Sequence, residues 1–242
     1  MKHNYLKHLF TALLLLCCSI ANAHDFEVDG IFYNITDATN KTVAVTYSGI
    51  SYDVVADEYI GSVVIPESVT YNNVTYNVAS IGNEAFCSCA NLTGITIPNC
   101  VSGIGDYAFW GAGITSIEIP NSVTSIGDAA FKECPNLKLV INLTTIGLSS
   151  NHITFPCKVA SAPNGSREGD FLFNDVEGVN TLCAYVGNDS EISLPTDYKG
   201  ESYIIGTNAF VYDTTITSVT IPNGVTSIGE SALYGTYKYI YP

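Results

Sequence analysis

The nonapeptides "VASIGNEAF" (78–86), "VSGIGDYAF" (101–109) and "VTSIGDAAF" (123–131) restrict this chain more than any other feature. The Gly of the Ile-Gly pair recurs at Gly82, Gly105, Gly127, Gly206 and Gly229, and an apolar residue follows four positions later, at Phe86, Phe109, Phe131, Phe210 and Leu233. Adjacent units are 22 or 23 residues apart. A second frame keeps fixed phase with the first: "LTGITIPNCV" (92–101), "ITSIEIPNSV" (114–123) and "ITSVTIPNGV" (216–225). A unit this short cannot bury its own apolar face. Many copies stacked on one another can, so the sequence predicts a repeat stack.

Within a unit, Ile95 and Ile97, or Ile117 and Ile119, are two residues apart and point to one face of a strand, while Thr96 and Glu118 point to the other. Pro98, Pro120 and Pro222 end the strand, because proline cannot donate to a ladder. The repeated Gly suits a tight corner, through either a positive φ or close approach of the neighbouring turn. The carboxylate after it, as in Asp106, Asp128 and Glu230, suits the positive end of a short helical turn carrying Ala-Phe. Stacking then predicts core ladders of Ile95, Ile117 and Val219, of Ile97, Ile119 and Ile221, and of Phe86, Phe109, Phe131 and Phe210.

Two frames in fixed phase resemble the leucine-rich repeat, and more closely the BspA-like bacterial surface proteins, over residues 62–147 and 192–242. The resemblance implies a curved, right-handed solenoid on a secreted or surface-attached protein. Some members of that family act as adhesins for host matrix proteins.

The spacing breaks to 79 between Gly127 and Gly206, with only the decayed turn "LVINLTTIG" (139–147) between. The segments 24–82 and 169–206 echo each other: Asp25-Phe26 answers Asp170-Phe171, and Tyr47 answers Tyr185. Each reaches its repeats through a long link with turn signals, Asn72-Asn73 and Lys199-Gly200, flanked by tyrosines, which predicts a β-hairpin. An open solenoid end needs a cap. The expected organisation is therefore mainly β, a right-handed leucine-rich-repeat solenoid with short helical turns, β-hairpin caps and two repeat modules. Its boundaries are a signal peptide at 1–23, an amino-terminal β cap at 24–60, repeats at 61–147, an irregular loop and second β cap at 148–191, and repeats at 192–242. The polar stretch 149–169 reads as a loop or bend.

Lys2 and Lys7, an uncharged run from Leu9 to Ala21 and the triplet Ala21-Asn22-Ala23 form the leader signature. That run is shorter than the roughly 20 residues a spanning helix needs, so no membrane insertion is expected after cleavage. The leader holds two of the nine basic residues and none of the 23 acidic ones, leaving a formal charge of −16. Nucleic-acid binding requires a basic stripe, which this chain does not have. The expected location is outside the cytoplasm: secreted, on the cell surface or periplasmic.

Six cysteines follow the leader: Cys87, Cys89, Cys100, Cys134, Cys157 and Cys183. Cys89 and Cys134 occupy one slot two coils apart, about 10 Å at strand spacing, too far for a disulfide, and read as small buried hydrophobes. Pairing of Cys157 with Cys183 stays open. No spacing matches a metal site, and no cofactor motif is present. With only His24 and His152 after the leader and no nucleophile context, no enzyme activity is expected.

Binding suits such a stack better, because it varies a rigid surface position by position. The slot after Phe holds Cys87, Trp110, Lys132, Val211 and Tyr234. A slot that accepts lysine is expected at the surface, which makes Tyr107, Trp110, Lys132 and Tyr234 the candidate ligand-binding residues. Trp110 folded over a neighbouring turn to shield the core is the competing reading. The expected function is adhesin-like binding of an extracellular protein or, secondarily, a glycan. A passive spacer is the alternative.

Overall fold

The computed structural model describes residues 24–49, 58–154, 157–211, 213–236 and 239–241; the expected leader lies outside them. The amino-terminal strands β1 (Phe26–Val28), β2 (Ile31–Asp37) and β3 (Thr42–Thr46) form an antiparallel meander. Next come β4 (Gly61–Val64), β5 (Ser68–Tyr71), β6 (Val74–Ile81), β7 (Leu92–Thr96), β8 (Gly103–Ile104), β9 (Ser116–Ile119), β10 (Ser125–Ile126), β11 (Leu139–Asn142) and β12 (Lys158–Ser161). A second antiparallel meander, β13 (Ser166–Glu168), β14 (Phe171–Val176) and β15 (Val179–Tyr185), precedes β16 (Glu191–Ser193), β17 (Tyr203–Ile205), β18 (Ser218–Thr220), β19 (Val225–Ile228) and β20 (Tyr239–Tyr241).

The Ile-Gly strands build one parallel ladder, β3-β6-β8-β10, and its counterpart β15-β17-β19. The Ile-x-Ile-Pro strands build a second parallel ladder, in the pieces β4-β7, β9-β11-β12 and β16-β18-β20. Alternation then buries the expected side chains. Ile117 and Ile119 are buried, Thr96 is exposed, and Ile95 and Ile221 are partly buried against the core.

The third side of each coil carries Ala-Phe and is not helical. Glu84, Phe86 and Ser88 donate their N–H groups to the carbonyls of Asp106, Ala108 and Trp110 in the next coil, at 2.9, 2.7 and 2.7 Å. Tyr107, Phe109 and Gly111 do the same to Asp128, Ala130 and Lys132. Intervening residues close tight turns, as Cys87 N to Glu84 O at 3.0 Å and Trp110 N to Tyr107 O at 3.0 Å. A left-handed residue stands two positions after each of Gly82, Gly105, Gly127, Gly206 and Gly229: Glu84, Tyr107, Ala129, Asn208 and Ser231, with φ between 54° and 60°. A helix needs consecutive right-handed residues whose N–H groups all bond back along their own chain. Here alternate N–H groups leave for the neighbouring coil, so the expected short helical turns are replaced by a spine of linked turns.

Capping changes accordingly. Asp106 Oδ1 accepts from Asp128 N at 2.8 Å, and Asn83 Oδ1 accepts from Asp106 N at 3.0 Å, so each side chain secures the following coil, not its own turn. The repeated glycine is explained by close approach. Gly105 N donates to Ile81 O at 2.9 Å, and a Cβ on Gly105 would stand 2.6 Å from Asn83 N.

Phe86, Phe109 and Phe131 are fully buried and stack at 5.0 and 5.5 Å between ring centroids, with Tyr59 on Phe86 at 4.7 Å. A second core gathers around Phe173, Tyr198, Tyr203 and Phe210. The Asn72-Asn73 hairpin forms as expected, with both residues left-handed, and packs Tyr71 on Phe26 at 4.3 Å. Its counterpart shrinks to the single bridge between Tyr198 and Glu201. The Asp-Phe echo is out of register, since Phe26 lies on the first meander strand and Phe171 on the second. Phe26 pairs with Tyr33 where Ser166 pairs with Phe173.

The stretch 149–169, expected as a loop, contributes one more coil. Ile153 bridges to Phe131, and β12 pairs in parallel with β11. The open pairing does not form: Cys157 and Cys183 are both thiols, as are Cys100 and Cys134. Burial raises the Cys134 thiol to about 12, and its Sγ donates to Phe109 O at 3.0 Å.

Between the two cores lies a third, small one, in which Ile141, Leu143, Ala160 and Ala162 meet Leu172, Ala184 and Val186. Lys158 pins this junction, donating to Asp213 at 2.8 Å and to Tyr185 O at 3.0 Å. Burial by itself would raise the Asp213 carboxyl, but the Lys158 ammonium and Thr215 outweigh it and hold the pKa below its usual value. A lowered carboxylate pKa contributes stability above the unfolded pKa of about 4, and that contribution is lost as pH falls through the folded value. Lys158→Met is therefore expected to lower the melting temperature at about pH 7. The gap to the unmodified protein should narrow at an acidic pH below the lowered folded value of Asp213, where the pair is discharged. Paired thermal melts at the two pH values measure it.

Candidate binding surface

The turn spine places two positions of each unit side by side with the same two positions of the next. Glu84 and Tyr107 share the left-handed slot, and Cys87 and Trp110 share the slot after Phe. Ser88 N donates to Trp110 O at 2.7 Å, which fixes the spacing of the two coils at this point. These four residues line a surface depression of about 330 Å³. Tyr107 is 46 % exposed, Trp110 is half-buried and Cys87 is buried, so two aromatic walls and a carboxylate surround a thiol floor. Tyr47 stands alongside: burial, then the Glu84 carboxylate and Cys87, raises its phenol above the ordinary value.

Of the four residues anticipated, the structure brings Tyr107 and Trp110 together. Lys132 sits half-buried one coil further on, its carbonyl accepting from Gly111 N at 3.0 Å. Tyr234 is 62 % exposed but stands in the turn after Gly229, on the second core, and does not line the depression. Glu84, Cys87 and Tyr47 were missed. The signal for Glu84 was present, because it occupies the slot of Tyr107 one period earlier.

The histidines are held in local structure. His24 Nδ1 contacts Ser48 O at 3.2 Å, and His152 Nδ1 accepts from Ser149 N at 3.2 Å within one turn. Among the described residues no group of three or more His, Cys, Asp or Glu side chains is placed to hold a metal ion, and no helix is long and apolar enough to cross a membrane.

Several solved structures resemble the chain. A leucine rich cell surface protein from Faecalibacterium prausnitzii is 19 % identical, with 86 % of this chain and 73 % of that one covered and a TM-score of 0.29. The pneumococcal vaccine antigen PcpA is 17 % identical, with 90 % and 69 % covered and a TM-score of 0.35. A leucine-rich repeat protein from Bacteroides ovatus is 21 % identical, with 88 % and 80 % covered and a TM-score of 0.29. No curated protein matches. The family model for the BspA type leucine rich repeat region fits in six copies over residues 68–162 and 185–240, running past the last legible Ile-Gly step to include β12. With more than half of its residues matched, this chain belongs to the BspA-type leucine-rich repeat family.

Proposed function

We propose that this chain is an exported, non-enzymatic protein that binds an extracellular protein through the turn face of its solenoid, with Tyr107 and Trp110 as the anchor. The observation that carries the reading is the depression of about 330 Å³ in which two aromatic walls and the Glu84 carboxylate rest on a hydrogen-bonded spine. Rigid, partly exposed aromatics contribute large contact area at small entropic cost, and an adjacent carboxylate suits a lysine or arginine side chain stacked on the rings. Lys132 and Tyr234 extend the surface as secondary contacts. In this reading the leader directs export, the two meanders act as β caps, and residues 61–147 and 192–242 form two repeat modules of one right-handed coil, the hand that parallel crossovers adopt almost always.

The test is an array of extracellular matrix proteins and glycans probed with the purified chain, followed by Trp110→Ala. The expected result is saturable binding to a protein, weakened about 30-fold or more by the substitution, with little change in melting temperature. Uniform silence across the array would favour the passive spacer, and saturable binding to glycans alone would shift the ligand class. A large fall in melting temperature with unchanged affinity would show instead that Trp110 shields the core.

A further inference from the structure

Strand β4 opens the second ladder and, among the described residues, pairs on one side only, with β7. Gly61 N donates to Asn91 O at 2.8 Å and Ile65 N to Thr96 O at 3.1 Å. Alternate residues of a parallel strand turn their backbone groups to opposite sides. Ser62 and Val64 therefore turn theirs away from β7, toward a groove of about 650 Å³ shared with the β1–β2 hairpin. Proteins usually blunt such an edge with lysine or cover it. This edge carries no lysine, and Ile60 and Val64 are 67 % and 65 % exposed.

The groove has a polar feature of one sign. Its acidic lining residues are Asp29 and Glu58, no Lys, Arg or His is among the described residues lining it, and burial raises the Glu58 pKa while His24, outside the lining, pulls it down. Glu58 Oε1 accepts from Ser48 N at 2.7 Å, while Oε2 is buried and has no hydrogen-bond partner among the described residues. A buried carboxylate oxygen without a donor is costly, and a cation delivered by a ligand would satisfy it.

We propose that the open edge of β4 docks an extended segment of another polypeptide, which adds as a strand beside Ser62 and Val64 and carries a lysine or arginine that reaches Glu58 Oε2. Backbone pairing supplies affinity in this mode, and the cation sets the register. The site is short, because Pro66, next on the open side, has no N–H to offer. It is separate from the Trp110 depression, and neither reading depends on the other.

The probe is a set of capped octapeptides of alternating threonine and valine, each with one lysine at a different position, titrated into the full chain by calorimetry. One lysine position is expected to bind saturably, and its glutamate analogue at least about tenfold more weakly. Val64→Pro removes the open-side donor while leaving the β7 side intact, and should weaken that peptide about tenfold. N-methylation of the peptide backbone should do the same without altering the protein, which covers a variant that fails to fold. Glu58→Gln should abolish the preference for lysine. Absence of saturable binding by every peptide overturns the proposal, as does binding indifferent to N-methylation. Concentration-dependent dimers lost in Val64→Pro would overturn it in favour of a second copy of this chain as occupant.

Discussion

Phe109→Ala is expected to destabilise the chain by about 3–5 kcal/mol, the usual range for truncating a buried phenylalanine. Phe109 is fully buried and sits between two parallel rings, Phe86 at 5.0 Å and Phe131 at 5.5 Å, so its removal forfeits two stacking contacts as well as transfer energy. The cavity cannot collapse easily. Backbone hydrogen bonds on both sides, Phe86 N to Ala108 O at 2.7 Å and Phe109 N to Ala130 O at 2.8 Å, hold the flanking coils at fixed spacing. Urea denaturation monitored by far-ultraviolet circular dichroism measures the change. A loss under about 1 kcal/mol would mean that the neighbouring coils close over the gap, against the rigid-spine description.

The second large effect separates two glycines that both follow isoleucine in an Ile-Gly step. Gly105→Ala is expected to cost several kcal/mol or prevent folding. Its Cβ would meet Asn83 N at 2.6 Å and Gly82 C at 2.7 Å, both backbone atoms of the preceding coil. Neither can retreat, because Gly105 N itself donates to Ile81 O at 2.9 Å. Overpacking of about 1–3 kcal/mol is usual where side chains can shift, and here no side chain can absorb the clash alone. Gly147, in the Ile-Gly step of the decayed unit, has nothing within 4 Å of a Cβ. Gly147→Ala should stay within about 0.5 kcal/mol of the unmodified protein, as surface changes generally do. Thermal melts of the two variants side by side decide the matter. Equal behaviour would remove coil-to-coil approach as the reason for the glycine.

That contrast also shows how far the sequence could be read. Ile146-Gly147 copies the motif, yet the first ladder of this half ends at β10, so the glycine has no coil against it. The cause lies at Asn142, which occupies the slot of Ile119. Its amide donates to Ile146 O at 2.8 Å and accepts from Thr144 Oγ1 at 2.7 Å, turning the chain out of the ladder. Ile141 similarly looks like a break in a polar outer face, and is in fact buried at the junction against Leu172 and Ala184. At the candidate site, exposure of the slot after Phe was inferred from Lys132. Cys87 in the same slot is nevertheless buried, in a depression it shares with Glu84, Tyr107 and Trp110, and burial of one copy cannot be read from another copy of the slot. The helical reading of Ala-Phe failed for a related reason: the hydrogen-bond partners of that segment lie a full period distant, where no local pattern can display them.

What the sequence determined by itself is the course of a single coil: two strands, a glycine step, and a phenylalanine stacked on its own copies. Those features depend on alternation and close packing repeated at a fixed interval, so each copy independently restates the constraint. Only the tertiary structure decided where each ladder stops, how Lys158 and a small apolar core join the two halves, and which slots open into the Trp110 depression and the β4 groove. These depend on single contacts between residues far apart in the chain, made once and never repeated.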